Sequence, residues 1–521
     1  MDRRRRALIA ALPLGFLAVF FLWPLAAILE RSLSDGGFSL PLDVLGRRST
    51  LELAWFTLWQ AGVSTVLTLL AGLPLAWALG RFSFRGRSIA EALVLVPFVL
   101  PTLVVATAFV ALLPDGVERS VWAILLAHAF FNVAVVVRVV GASWATLDRR
   151  LWDAAATLGA GPLERFRSIT LPLLAPALAA AGSIVFLFCF TSFGVILVLG
   201  GPRFATLETE IYTQAARLFD LRAAAALALL QLAVVGVAIA VSGRLERRLT
   251  GRRRRGAPVG PPSRRQAPLV GAILVLSAGL LLLPPAALVL RSVSVGGGIG
   301  LDHYGRLLEE TPALLVAPWQ AIANSLLFAG ASTMVALAVG IPAAVSVAYG
   351  CGALDALLML PLGASAVMLG FGFLLAFDEA PLDLRGTVVL VPLAQALVAV
   401  PFVVRALVPS LRGLDTRLRD AAVVLGLPPR RVRLEVDLPL LARPLAVAAG
   451  LAFAVALGEF GATVFLARAD RPTLPVAIFR FLGRPGAENV GTATALSVVL
   501  MALVTVSALA GDRALARRGA R

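Results

Sequence analysis

The sequence predicts an all-α, polytopic membrane protein of about twelve transmembrane helices, built as two parallel six-helix repeats. Three observations carry that prediction. First, 59% of the 521 residues are hydrophobic and 15% are charged, whereas soluble domains hold about 45–50% apolar and about 25% charged residues. No soluble fold could hide so much apolar surface, so the excess must face lipid. Second, apolar runs of bilayer-spanning length recur along the whole chain. Backbone polar groups in lipid are satisfied by helices or by closed barrels, and the short alternating strands of a barrel are missing. Third, a polar segment is written twice, 267 positions apart: Asp153-Ala-Ala-Ala-Thr-Leu-Gly159 with Ile169-Thr-Leu-Pro172, then Asp420-Ala-Ala-Val-Val-Leu-Gly426 with Val436-Asp-Leu-Pro439.

In chain order, the apolar runs fall at 7–29, 53–79, 89–113, 120–141, 171–199 and 222–242, and then at 268–290, 321–349, 353–377, 386–410, 442–467 and 490–510. The first follows Arg3 to Arg6 and resembles a signal peptide. It is long enough to cross a bilayer, however, and no small-residue cleavage site follows, so it reads as a retained helix. Residues 244–267 are rich in Arg, Pro and Gly and read as a cytoplasmic linker, either hugging anionic lipid or simply solvated. The division is therefore 1–243, 244–267 and 268–521. The repeat runs beyond its central motif: Arg138 matches Arg405, Leu147-Asp148 matches Leu414-Asp415, and Thr206-Leu207 matches Thr473-Leu474, while Ser64-Thr65 and Pro74 match Ser332-Thr333 and Pro342 one position further on. Halves that repeat in the same orientation are related by an axis along the membrane normal.

The formal charge of +17 is carried by arginine without any lysine. The arginines cluster in short segments that flank apolar runs, which sets membrane orientation and argues against a nucleic-acid partner. Arg3 to Arg6, Arg81/Arg85/Arg87, Arg149 to Arg167 and Arg244 to Arg265 occupy alternate connections, which places both termini and both duplicated loops in the cytoplasm; Arg31, Arg47 and Arg48 fall on the other side. Cys189 and Cys351 have no metal-type spacing and indicate no disulfide framework.

In each duplicated loop, small and apolar residues recur at helical spacing: Leu151, Ala154, Ala155 and Leu158, then Leu418, Ala421, Ala422 and Leu425. Gly159 and Gly426 sit where a helix can end in a left-handed residue, and Pro162 and Pro429 where the next can begin. Each loop thus encodes a helix, a sharp turn and a second helix, with the chain re-entering the membrane near Pro172 or Pro439. A DNA-binding helix-turn-helix would not be tethered at both ends to spans. A segment lying on the bilayer would account for one loop but not for two matched, glycine-centred copies. Twin docking surfaces for a paired partner account for both.

These loops resemble the Glu-Ala-Ala loop of ATP-binding-cassette importer permeases, with Asp153 and Asp420 in place of the leading Glu and Val436 at an isoleucine position. The resemblance spans nearly the whole chain. It implies a type I, fused two-half permease of a bacterial cytoplasmic (inner) membrane. It also implies that Asp153, Ala154, Ala155, Gly159 and Pro172, with Asp420, Ala421, Ala422, Gly426 and Pro439, couple to two ATPase subunits, and that an extracytoplasmic solute-binding protein delivers the solute. Fused permeases of this kind are typical of thiamine and iron(III) importers. Ile124-Leu-Leu-Ala-His128-Ala-Phe-Phe-Asn132 and Leu187 to Thr206 look like the thiamine branch, while Leu457-Gly-Glu459-Phe-Gly461 fits either.

Polar groups in lipid usually face a bundle interior. His128 and Asn132 share a helical face, His128 aligns with Gln395, and Ser192 aligns with Glu459. These five either line the solute path or hydrogen-bond between helices and touch no solute. No catalytic or metal constellation is present, and a chain without lysine has no Walker phosphate loop, so any ATP is bound by partner subunits and not as a cofactor of this chain. A major-facilitator secondary transporter also has twelve spans in parallel halves. Gly80 to Arg87 only faintly matches that class's loop and lacks its aspartate. An intramembrane enzyme would need paired catalytic groups.

Overall fold

The computed structural model describes residues 3–33, 41–201, 203–249, 260–378, 382–428 and 431–516. Among them, ten helices are long and apolar enough to cross a membrane: α1 (Ile9–Leu33), α2 (Arg48–Arg81), α3 (Val121–Trp144), α4 (Pro162–Phe190), α5 (Leu221–Val241), α6 (Ala267–Ser292), α7 (Pro318–Ala348), α8 (Leu390–Arg412), α9 (Val432–Gly458) and α10 (Ala487–Leu509). Two further pairs, Arg87–Val99 with Thr102–Leu112 and Leu354–Pro361 with Ala366–Ala376, bend by 99° and 91°; counted as one span each, they bring the total to 12.

The single apolar runs expected at 89–113 and 353–377 are therefore each two helices joined at a sharp bend. In the first, the ring of Pro101 excludes Leu100 from helical geometry, and Leu100 adopts φ −66°, ψ 136°. In the second, Ala364 is extended at ψ 138°. The Ser365 hydroxyl then accepts the Met368 amide at 3.0 Å and restarts the helix. The runs at 171–199 and 442–467 are also interrupted. α4 stops at Phe190, ahead of a short helix Gly194–Leu199, and α9 stops at Gly458, ahead of Thr463–Leu466.

The chain packs into two compact units, one formed by Met1–Pro41, Ile211–Leu229 and Ser292–Arg521, the other by Leu42–Glu210 and Leu230–Arg291. Packing and repeat boundaries thus follow different lines, because the opening helix of each repeat is grouped with the body of the other. In the second unit α2 packs on α3, and α4 packs on both. The start of α6 joins the end of α2, where Val270 shares a buried cluster with Ala78 and Phe82. In the first unit α7 packs on α8, α8 on α9, and α9 on α10. There α1 and its continuation lie against α7 and against Ala366–Ala376. Residues 250–259 of the linker lie outside the described residues.

Equivalent positions make equivalent contacts. A Cβ on Gly72 would lie 2.7 Å from the Cβ of Val136, and one on Gly340 would lie 2.7 Å from Cγ1 of Val403. Glycine is what lets these helix pairs approach so closely. The Thr57 hydroxyl accepts the Leu207 amide at 3.1 Å, and Ser325 accepts Leu474 at 2.6 Å, so each satisfies an orphan N–H at the start of a short helix.

Replacing either crossing glycine with leucine should lower the melting temperature of the detergent-purified protein, since overpacking a tight core costs about 1–3 kcal/mol. Val136→Gly in a Gly72→Ala background, which removes both clashing atoms, should recover part of what Gly72→Ala loses. An unchanged melting temperature for Gly72→Leu would show that α2 and α3 do not cross at this point.

Candidate functional site: twin loops and a buried polar chain

After α3 the chain forms a nine-residue helix, Arg149–Thr157; after α8 it forms another, Thr416–Val424, also nine residues. Both start alike. The Asp148 carboxylate accepts the Arg150 amide at 2.9 Å and Asp415 accepts Arg417 at 2.9 Å, with ψ at 117° and 115°. An aspartate in this position satisfies one of the four amides left free at a helix start. These aspartates, repeat mates in the sequence, are thus helix caps, a role signalled by Asp directly ahead of the apolar periodicity.

Both helices also end alike. Gly159 and Gly426 hold φ of 85° and 84°. The Ala160 amide reaches the Ala155 carbonyl at 3.0 Å and Gly159 reaches Ala156 at 3.1 Å, while Leu427 reaches Ala422 at 3.0 Å and Gly426 reaches Val423 at 2.9 Å. This is the Schellman closure, which needs a left-handed residue at the turn. A Cβ on either glycine would meet nothing within 4 Å, so the demand for glycine here comes from the backbone alone.

Pro162 opens the next helix at its first turn; Pro429 lies outside the described residues. The chain does not break again before the span. It runs through a widened π turn, Phe166–Thr170 or Val432–Asp437, directly into the rest of α4 or α9. Pro172 and Pro439 lie just beyond that turn. A proline ring crowds the preceding turn and offers no amide to it, and the widened turn accommodates both effects.

The small-residue face is split in space. Asp153, Ala154, Asp420 and Ala421 are exposed, Ala155 is half-buried and Ala422 is buried. Leu158 and Leu425 stand 87% and 79% exposed, immediately before the left-handed glycines. Trp152 and Arg419, at matching positions, were missed from sequence. Trp152 Nε1 donates to Thr170 Oγ1 at 2.7 Å, and Arg419 Nε donates to Asp437 Oδ1 at 2.7 Å. That hydrogen bond raises the Arg419 pKa further above its usual value.

Among the spans, the structure brings three of the five singled-out polar residues together. His128 is hydrogen-bonded on both sides, Nδ1 to Ser64 Oγ at 3.0 Å and Nε2 to Ser192 Oγ at 2.9 Å. Asn132 donates to the His128 carbonyl at 3.0 Å and Gln60 donates to the Cys189 carbonyl at 3.0 Å. The chain ties α2, α3 and the break after α4 together. Ser64, the partner missed from sequence, is detectable as the repeat mate of Ser332. The counterparts in the other unit are Ser332, Gln395 and Glu459, and they do not close a chain. Ser332 Oγ and Gln395 Oε1 are buried without a partner. The Glu459 carboxyl group instead accepts the amides of Ala462 at 2.7 Å and Thr463 at 3.1 Å, capping Thr463–Leu466. Among the described residues no three His, Cys, Asp or Glu side chains gather in a group that could hold a metal ion.

Removing His128 takes one hydrogen bond each from the buried Ser64 and Ser192 hydroxyls, at about 0.5–1.5 kcal/mol for each bond. Gln395→Met removes an oxygen that already lacks a partner. His128→Leu should therefore lower the melting temperature well below that of Gln395→Met, and equal losses would contradict the difference between the two clusters.

Comparison with known proteins follows the same outline. Residues 72–253 match the family described as binding-protein-dependent transport system inner membrane component. The chain is 31% identical to the thiamine transport system permease protein of Brucella abortus, with 97% of this chain and 95% of that protein covered. It is 28% identical to the protein of the same name in Escherichia coli, over 86% of each. It is also 27% identical to a probable ABC transporter permease protein of Sinorhizobium fredii, over 89% of this chain and 88% of that one.

Proposed function

The chain belongs to the binding-protein-dependent ABC importer permeases, and we propose that it is the membrane subunit of a thiamine importer, moving its solute by alternating access while separate ATPases supply the work. Its family consists of non-enzymatic, multi-pass inner-membrane transport proteins that work with an ATPase and an extracytoplasmic binding protein. Thiamine as solute is supported by the names of its relatives across nearly the full chain.

The observation that carries the mechanism is the pair of leucines, Leu158 and Leu425, held out at 87% and 79% exposure on arginine-flanked loops. Leu163 at 70% and Val424 at 85% exposure join them in the two loops, and apolar side chains grouped on a polar segment favour a partner surface. Two ATPase subunits dock there, one per loop, against Asp153, Ala154, Ala155 and Gly159 or Asp420, Ala421, Ala422 and Gly426, with Pro172 and Pro439 at the entry to the spans. Both loops and both termini face the cytoplasm, as the arginine pattern requires. Of the polar residues proposed for the solute path, His128, Ser192 and Glu459 already bond to neighbouring protein groups, whereas Asn132 and Gln395 each keep a buried amide oxygen without a protein partner. The oxygens of Asn132 and Gln395 chiefly support the path, and Glu459 is an acid suited to a cationic solute such as thiamine.

In proteoliposomes carrying the permease, its ATPase and its binding protein, thiamine uptake should require ATP and persist without an ion gradient. Uptake driven by an ion gradient alone would sink the importer reading, and delivery of ferric iron instead of thiamine would sink the substrate. Gly159→Val with Gly426→Val forces a branched residue into left-handed backbone, at about 1–2 kcal/mol per site. That double variant should insert normally but lose co-purification with the ATPase.

A further inference from the structure

Each loop helix is held to the spanning helices by three side chains, and the three positions correspond between repeats. In the first repeat they are Arg81, the last residue of α2; Trp152, fourth in the loop helix; and Thr170, at the end of the π turn. The Arg81 guanidinium carbon lies 5.1 Å from the Trp152 ring centre, and Trp152 Nε1 donates to Thr170 at 2.7 Å. Arg165 stacks on the same ring at 4.8 Å. In the second repeat the positions are Tyr349, which caps α7; Arg419, fourth in the loop helix; and Asp437, at the end of the π turn. Arg419 donates to the Tyr349 hydroxyl at 2.9 Å and to Asp437 at 2.7 Å. The cation and the aromatic have changed places, and the neutral acceptor has become a carboxylate. An indole cannot use a carboxylate's charge, and a guanidinium gains from one, so the exchange at the loop helix and the exchange at the π turn belong together.

We propose that these six side chains form two joints, one per repeat, that fix each loop helix to its spanning helices and pass its displacement to them. The joints deepen the ATPase-docking reading by naming positioning residues behind the docking surface. Their geometry also requires that the two joints be interchangeable as sets but not residue by residue. Arg81, Trp152 and Thr170 make one working set; Tyr349, Arg419 and Asp437 make the other. A mixed set, such as Trp152→Arg alone, places a cation beside Arg81 and Arg165 and leaves it without a carboxylate.

The first test uses the purified permease alone, by amide hydrogen exchange across residues 150–158 and 417–425. Trp152→Ala should speed exchange in the first segment and Arg419→Ala in the second, each about tenfold, the scale of one lost hydrogen bond. Trp152→Phe, which keeps the ring for Arg81 but loses the N–H, should fall between wild type and Trp152→Ala. Trp152→Arg alone should speed exchange, and the full set Arg81→Tyr, Trp152→Arg and Thr170→Asp, with Arg165→Val to match Val432 of the second repeat, should restore protection. Unchanged exchange in Trp152→Ala and Arg419→Ala overturns the joints whether or not the protein is an importer. The second test adds the ATPase. The two alanine variants should keep co-purification and basal hydrolysis while uptake falls about tenfold. Loss of co-purification would make these residues part of the docking face and overturn their role as joints. Wild-type uptake independent of ATP, with the exchange results as expected, would sink the importer reading and leave the joints standing.

Discussion

A backbone N–H or C=O with no partner costs several kcal/mol in hydrocarbon, and this constraint decides where the chain can interrupt its helices. Where a helix breaks, a local group takes the place of the lost turn. Ser365 supplies its hydroxyl where the second bent pair restarts. Thr57 and Ser325 supply theirs to the short helices beginning at Leu207 and Leu474. The Glu459 carboxyl group serves two amides after α9. Ahead of Pro172 and Pro439 the backbone widens, so that the ring is taken up without ending the helix. The same accounting governs the polar loops, where an aspartate closes one end of each helix and a left-handed glycine the other.

The two repeats keep this backbone accounting and diverge in what side chains do with it. The aspartate caps differ by 2° in ψ and the loop glycines by 1° in φ. The buried polar positions share a register but not a chemistry. Ser64, His128 and Ser192 close into a hydrogen-bonded chain, while Ser332, Gln395 and Glu459 leave two oxygens unpartnered and assign the acid to a helix end. A duplicated scaffold fixes positions strictly, because a shifted turn would strand backbone groups. It fixes side chains loosely: Ser64, His128 and Ser192 bond to one another, the Glu459 carboxyl group is satisfied at a helix end, and the oxygens of Ser332 and Gln395 are met by no protein group.

How much could be read from the residues follows from the same distinction. Composition and run length located the ten long apolar helices among the described residues, and Gly159 and Gly426 announced their turns because few other residues tolerate positive φ. The bends at 89–113 and 353–377 were hidden because apolarity continues through them; Leu100-Pro101 carried the signal for the first in its backbone restriction alone. The regrouping of α1 and α6 left no trace, since an apolar helix face does not encode which apolar neighbour it meets. His128, Asn132 and Ser192 were found as costly polar groups in lipid, but their satisfaction by Ser64 needed coordinates. Trp152 was overlooked because an aromatic in a polar loop reads as surface, and only its bond to Thr170 places it between two helices.

The grouping of α1 with residues from the far half of the chain sets the order of events at the ribosome. The helix at Ile9–Leu33 leaves the tunnel long before Pro318–Ala348 and Ala366–Ala376 exist. At about 5–20 residues per second, translation keeps it waiting for tens of seconds without its packing partners in the second repeat. The body of the first repeat likewise waits for Ala267–Ser292. Biogenesis therefore cannot finish one half before beginning the other, and a polypeptide cut at the linker would yield two fragments that each display an unpaired helix to membrane quality control.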